Sequence, residues 1–441
     1  MSVHINDLPC ELLEKIFNFL PFDHRLFRLE LVCQKWKSSM NLLLVMKTQL
    51  QTFNHFGNKF KINQPFFTGY SKIDDHNVDI VKKILSKCPN IKYLNLERTH
   101  IYGSNNLSLI AKLCPKLERI NLDFSEINVT DDEMDEFGMI IGPKLIQGNF
   151  DSYNFVNYIN TIFKHLKNLE TIKFKTYNKS ETETSFKQLN LSCENLKTLE
   201  WVCYEESPWE LDENVVNVLQ KINHLKIHLN NLKQFEAIKM NNLTELTLDE
   251  YTSWAQTLSE MTFDNVTKLN IRFDEYHHFA LISKVNFPKL ISVCIYNNDY
   301  HELPMSFINQ IRNVKKLDLE CNFALLPFLQ LLELIDFQCD FVLLTKNDDS
   351  FTKFGQCFDI LARHKSLQNI KLTIYDDRFD LNIFDRIVFL GQSKPSAIIE
   401  IKIHKRNLSD DNFIKFNLYK KLVEDAKSLT KLNLKLFLLD D

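Results

Sequence analysis

Along most of the chain one short pattern returns: an apolar residue, two variable positions, a second apolar residue, one variable position and a third apolar residue. Ile91, Leu94 and Leu96 carry it first, followed by Ile101, and Leu117, Ile120 and Leu122 carry it next, followed by Ile127. It comes back as Leu169/Ile172/Phe174, Leu196/Leu199/Trp201, Ile222/Leu225/Ile227, Leu243/Leu246/Leu248, Val266/Leu269/Ile271, Leu290/Val293/Ile295 and Val314/Leu317/Leu319. Leu367/Ile370/Leu372, Ile398/Ile401/Ile403 and Leu429/Leu432/Leu434 close the series, and two degraded copies are expected near Leu145–Phe150 and Phe341–Leu343. The middle anchors are spaced by about 26 residues on average, a period of stacked structural repeats rather than of separate globules.

The short motif predicts a strand, because Leu94 and Leu96 are two apart and so face one way. Between the strands the spacing turns helical: Val78, Val81, Leu85 and Cys88 share one face, as do Phe155, Ile159, Ile162 and Leu166, and Val215, Val218 and Ile222. A strand followed by a helix cannot bury its apolar side alone, whereas stacked neighbours bury it jointly. The expected product is an α/β solenoid with strands on the concave side and helices on the convex side. The polar run from Asn178 to Ser185 reads as an exposed loop.

Cys88-Pro89-Asn90-Ile91 and Cys114-Pro115-Lys116-Leu117, each just before a strand motif, resemble the cysteine-containing class of leucine-rich repeats. Val129-Thr130-Asp131-Asp132 and Leu408-Ser409-Asp410-Asp411 resemble that class's turn from strand into helix. These cysteines are expected to pack at helix ends. The scarcity of glycine leaves the turns to Asn and Asp, which tolerate left-handed geometry. The closing strand motif, Leu434 onward, is expected to present a pairing edge, tempered by Lys435, Asp440 and Asp441.

Residues 5–39 leave the repeat. Asp7-Leu8-Pro9 makes a helix start, Leu12, Ile16, Phe17 and Leu20 form one apolar stripe, Pro21 ends it, and Leu26, Leu29, Val32, Cys33 and Trp36 form a second. So short a helical module makes a marginal core by itself, and should lean on the solenoid or on a partner. Its order, Leu8-Pro9-x-Glu11-Leu12-Leu13-x-x-Ile16-Phe17-x-x-Leu20 and then Val32-Cys33-x-x-Trp36, resembles an F-box. That resemblance implies docking to a Skp-type adaptor, and through it to a cullin scaffold, with Leu8, Pro9, Ile16, Cys33 and Trp36 touching the adaptor. The expected organisation is an all-α F-box module over 1–46, a connecting segment over 47–74 and a leucine-rich-repeat solenoid over 75–441. An F-box followed by such repeats resembles the substrate-receptor subunit of an SCF-type ubiquitin ligase. The alternative is a repeat scaffold or inhibitor whose F-box-like helices only cap the solenoid.

Composition removes the competing chemistries. Only 8 of 441 residues are glycine, and Gly138 and Gly142, the one pair within five residues, form neither a dinucleotide fingerprint nor a P-loop. A net charge of −4 gives no global attraction to nucleic acid or to an anionic membrane. Ten cysteines without a close pair fit reduced thiols, and the N-terminal twenty residues lack an apolar signal core, so an intracellular protein, cytoplasmic or nuclear, is expected. His224 and His228 bracket a strand without further ligands, and His277-His278 reads as a solvated loop, so neither pair predicts a metal site. No cofactor and no catalytic set is expected.

What remains is the inner face of the solenoid. Early and middle copies put Tyr93, Asn95, Glu97, Arg119, Asp123, Glu200, Glu245 and Asp249 there, and the last copies put Lys371, Lys402, His404, Lys431 and Lys435 there. Lys173 and Lys175 interrupt the acidic trend. The expected ligand is a protein substrate that brings an acidic or phosphorylated segment to the basic C-terminal end.

Overall fold

The computed structural model describes residues 72–73, 78–86, 90–96, 99–103, 105–123, 125–151, 155–204, 211–228, 235, 238–249, 261–272, 282–296, 305–320, 329, 331–342, 348–375, 381–404, 417, 420–421 and 434–439. The chain divides into two compact units, Met1–Ile222 and Asn223–Asp441.

In the first unit the described residues form five parallel strands, Tyr93–Asn95, Arg119–Asn121, Gln147–Phe150, Thr171–Thr176 and Thr198–Cys203, each paired to the next repeat's strand. A helix follows each of them: Asn106–Leu113, Asp131–Ile141, Ile159–Phe163, Lys179–Ser192 and Glu213–Lys221, with Val78–Ser86 preceding the first. A second, narrow parallel sheet of Lys72–Ile73, His100–Tyr102 and Glu126–Asn128 carries the trailing apolar positions, with Ile101 facing Ile127. The core row runs Leu94, Ile120, Gly148, Ile172, Leu199 in lateral register. Gly148 explains why that copy is hard to read: a Cβ there would run into the ring of Phe150, which fills the missing slot.

Phenylalanine then continues the core from repeat to repeat. Phe150 stacks on Phe155 at 4.5 Å, Phe163 meets Phe174 edge-on at 5.8 Å, Phe174 meets Phe186 at 5.8 Å, and Phe186 meets Trp201 edge-on at 5.0 Å. Each such pair adds about 1 kcal/mol beyond its buried area. The Trp201 Nε1–H donates to Thr176 Oγ1 at 3.0 Å, so the spine ends without an orphaned donor.

The second unit repeats the scheme with nine described parallel strands: His224–His228, Glu245–Asp249, Lys268–Arg272, Ser292–Tyr296, Lys316–Glu320, Asp336–Val342, Asn369–Tyr375, Ile398–His404 and Leu434–Leu439. Met305–Gln310, Asp348–Arg363 and Leu381–Ser393 are helices among its described residues, and Met261–Thr262 pairs with Val285–Asn286 off the main sheet. Its core row is Leu225, Leu246, Leu269, Val293, Leu317, Phe337, Ile370, Ile399 and Leu434.

Three expectations need correcting. The degraded copy placed near Phe341–Leu343 is anchored earlier, by buried Leu334, Phe337 and Cys339; a cysteine in the third apolar slot hides it. In the last two copies lateral register puts Ile399 and Leu434 in the core row where Ile401 and Leu432 were expected, so both motifs are two residues out of phase, and Ile398, the expected first anchor, is 45% exposed. The run Asn178–Ser185 is not a loop. Asn178 caps the helix Lys179–Ser192, its Oδ1 accepting from Glu181 N at 3.0 Å while Glu181 Oε1 accepts from Asn178 Nδ2 at 2.8 Å. Thr182, Ser185, Phe186 and Leu189 form the buried face, so a polar helix start hides an inward stripe of small hydroxyls.

Candidate binding surface

Leu8, Pro9, Ile16, Cys33 and Trp36 lie outside the described residues, as do Glu97, Lys431 and the Cys88-Pro89 and Leu408–Asp411 motifs. The described surface with concentrated polar chemistry is the helix-free face of the strands, where residues alternate with the core positions.

On the first unit that face is a set of closed ion pairs. With Ile172 and Phe174 turned into the core, Lys173 and Lys175 point the other way. Lys173 Nζ lies 2.7 Å from Asp123 Oδ2, 3.5 Å from Asp151 Oδ2 and 3.8 Å from Glu200 Oε1, and Lys175 Nζ lies 2.8 Å from Asp151 Oδ1. The two lysines that interrupt the acidic trend are therefore its counter-ions. Burial pulls the Lys173 ammonium down, but Asp123, Glu200 and Asp151 outweigh it and hold it above the usual lysine value. Burial raises the Asp123 carboxyl, and Lys173 offsets this only in part. Of the other expected face residues, Asn95 is buried, Tyr93 half-buried and Arg119 exposed.

On the second unit Glu245 accepts from Lys268 Nζ at 2.7 Å and Asn270 Nδ2 at 2.9 Å, with His224 Nε2 at 4.0 Å. These partners overcome burial and keep its carboxyl below the usual range. Asp249 pairs with Lys226 at 2.9 Å and lies 3.9 Å from Arg272, whose guanidinium sits 4.7 Å over the Tyr296 ring. Burial pushes the neighbouring Cys294 thiol up to about 11, which leaves it protonated and unreactive. His224 and His228 are the two ends of one strand, and His228 is buried. Among the described residues no group of three His, Cys, Asp or Glu could hold a metal ion, and no helix is long and apolar enough to cross a membrane.

The C-terminal strands bring together three of the expected basic residues. Lys371, Glu400 and Lys435 fall in one lateral row, and Lys402 and Phe437 in the next. Lys371 and Lys435 are exposed, and Lys402 Nζ lies 3.2 Å from Glu400 Oε1. The side chain of His404 lies outside the described residues. Sequence reasoning missed Ile398 and Phe437, 45% and 40% exposed on this same face. Their signal was an apolar residue in a position that alternates with the core, visible only once the phase of the last two strands is right.

The cysteines serve the stack. Cys114 closes the helix Asn106–Leu113, its N–H donating to Ile110 O. Cys193, without a following proline, does the same for Lys179–Ser192, and its Sγ–H donates to Leu166 O of the preceding repeat at 3.3 Å. Burial pushes the Cys193 thiol up to about 12. Thr130 caps Asp131–Ile141 by accepting from Glu133 N at 3.2 Å, the turn expected from Val129–Asp132. Asn105, at φ 66°, takes the left-handed geometry expected of a turn asparagine.

Residues 5–46 match the F-box domain family. Comparison with curated proteins finds no match. Among solved structures the chain is similar to a chain of the Rad7 and Elc1 complex in yeast, at 15% identity and a TM-score of 0.37, over 93% of this chain and 96% of that one. It is also similar to the leucine-rich repeat-containing protein LegL7 from Legionella pneumophila, at 12% identity and a TM-score of 0.36, over 72% of this chain and 92% of that one. At these TM-scores the likenesses do not themselves identify the fold, which the repeat register above does. The chain thus joins an F-box domain at residues 5–46 to a leucine-rich-repeat solenoid.

Proposed function

We propose that this chain is the substrate-receptor subunit of an SCF-type ubiquitin ligase, acting inside the cell. The F-box domain docks to a Skp-type adaptor, and through it to a cullin scaffold, while the open face of the solenoid holds a protein substrate. The reading is carried by one pairing: an F-box domain at residues 5–46 ahead of stacked parallel strands whose open face presents charged side chains. The chain makes and breaks no bond in this role. It holds a substrate lysine near a thioester carried by another subunit, which raises effective concentration. Leu8, Pro9, Ile16, Cys33 and Trp36 are the proposed adaptor contacts.

Co-purification of the full chain with a Skp-type adaptor tests the reading. The intact chain is expected to retain the adaptor, and a Leu8→Ala/Pro9→Ala variant to lose it, on the order of tenfold or more in affinity for two truncated anchor positions. An intact chain that does not bind the adaptor rejects the receptor role and leaves a scaffold whose helices only cap the solenoid.

A further inference from the structure

We infer that the C-terminal end of the open face is a docking surface for an acidic peptide segment carrying a bulky apolar residue, without a phosphate. Three lysines and one glutamate, Lys371, Lys402, Lys435 and Glu400, share three adjacent strands, so the patch is net cationic. Ile398 and Phe437, 45% and 40% exposed, flank those charges on the same face. An exposed phenylalanine costs solvation and adds nothing to a core that Leu434 and Leu436 of its own strand already fill. It is the type of residue that anchors an interface.

The placement of the charges selects among anions. Lys371 and Lys435 stand on either side of the Glu400 strand, about 9–10 Å apart by strand spacing. A compact phosphate dianion needs converging donors, and here the centre of the row is a carboxylate. Separate carboxylates on an extended segment can reach the outer lysines and pass Glu400. Glu400 also holds Lys402 at 3.2 Å, so it sets how much positive charge the patch offers. It acts as a brake on acidic ligands, and removing its charge strengthens binding.

This surface deepens the receptor reading and rests on it for the identity of the ligand as a ligase substrate, yet its binding needs no adaptor. The test uses the full chain and a fluorescein-labelled peptide in which aspartate and glutamate alternate with phenylalanine, followed by fluorescence anisotropy. Three control peptides replace the acids with their amides, replace phenylalanine with alanine, or carry one phosphoserine in place of all the acids. The acidic peptide is expected to bind best, more weakly at higher salt. Lys402→Glu/Lys435→Glu is expected to lose about tenfold or more in affinity, and Phe437→Ala to weaken the acidic peptide but not its alanine counterpart. Glu400→Gln is expected to tighten binding, a gain that misfolding cannot imitate. Leu8→Ala/Pro9→Ala is expected to bind the peptide as the intact chain does, so loss of adaptor binding and loss of this surface are read separately. The inference is overturned if the acidic peptide does not bind, if the amide or phosphoserine peptide binds as well, or if Glu400→Gln leaves affinity unchanged.

Discussion

Lys173 sits within 4 Å of carboxyl oxygens from Asp123, Asp151 and Glu200, contributed by three other repeats, with 16% of its side chain exposed. At that depth removing one partner costs more than the pair contributes, because the stranded carboxylates keep their desolvation penalty. Lys173→Met is therefore expected to destabilise the chain by about 3 kcal/mol in urea unfolding, and Asp123→Asn added to it to recover part of the loss. His364 is a second buried polar group. It stands where Cys114 and Cys193 stand in earlier repeats, three residues before a strand motif, and its Nε2 lies 3.1 Å from Leu332 O. Burial holds its imidazole below the ordinary 6.5. The unfolded chain then takes up the proton first, so the stability this residue contributes is full above pH 6.5 and is lost as pH falls from 6.5 through the lower folded value. Urea midpoints measured between about pH 7.5 and about pH 5.5 should decline less steeply in His364→Leu than in the intact chain.

At the scale of elements, the glycine pair acquires a role that its spacing did not reveal. Gly138 and Gly142 line the side of Asp131–Ile141 against which the next repeat packs His165. A Cβ on Gly138 would lie 2.7 Å from His165 Cδ2, and one on Gly142 2.6 Å from the His165 carbonyl oxygen. Both alanine variants are expected to destabilise by about 1–3 kcal/mol. Adding His165→Ala should rescue Gly138→Ala, where the obstacle is a side chain, and not Gly142→Ala, where it is backbone; thermal melting distinguishes the two. The N-cap at Asn178 predicts a loss of about 1 kcal/mol for Asn178→Ala, read in the same way. These elements mark the limits of what the sequence discloses. Strands with an apolar residue in each slot were legible, because burial demands the same period in every repeat, except the last two, where additional apolar residues allowed a second phase. Gly148 and Cys339 broke the letter of the pattern while Phe150 and packing kept its volume, and the Lys179–Ser192 helix hid its inward face behind threonine and serine. The C-terminal lysines were found from alternation alone. Ile398 and Phe437 were not, since an exposed apolar residue looks like a core position until lateral register shows which way it faces.

On the scale of the whole molecule, the proposed receptor role assigns attachment to the F-box domain at residues 5–46 and recognition to the open faces of the repeats. Lysines of the first unit are held by neighbouring carboxylates, Lys402 pairs with Glu400, and Lys371 and Lys435 on the last strands are exposed. A receptor built this way should lose its two activities independently. The most direct measurement is affinity capture of the full chain from cells with the proteasome blocked, reading both the bound partners and the ubiquitin they carry. The expected result is that Leu8→Ala/Pro9→Ala keeps the partners but strips them of chain-dependent ubiquitin, while Lys402→Glu/Lys435→Glu keeps the adaptor and loses the partners. Partners that carry the same ubiquitin whether or not Leu8 and Pro9 are intact would contradict the receptor role.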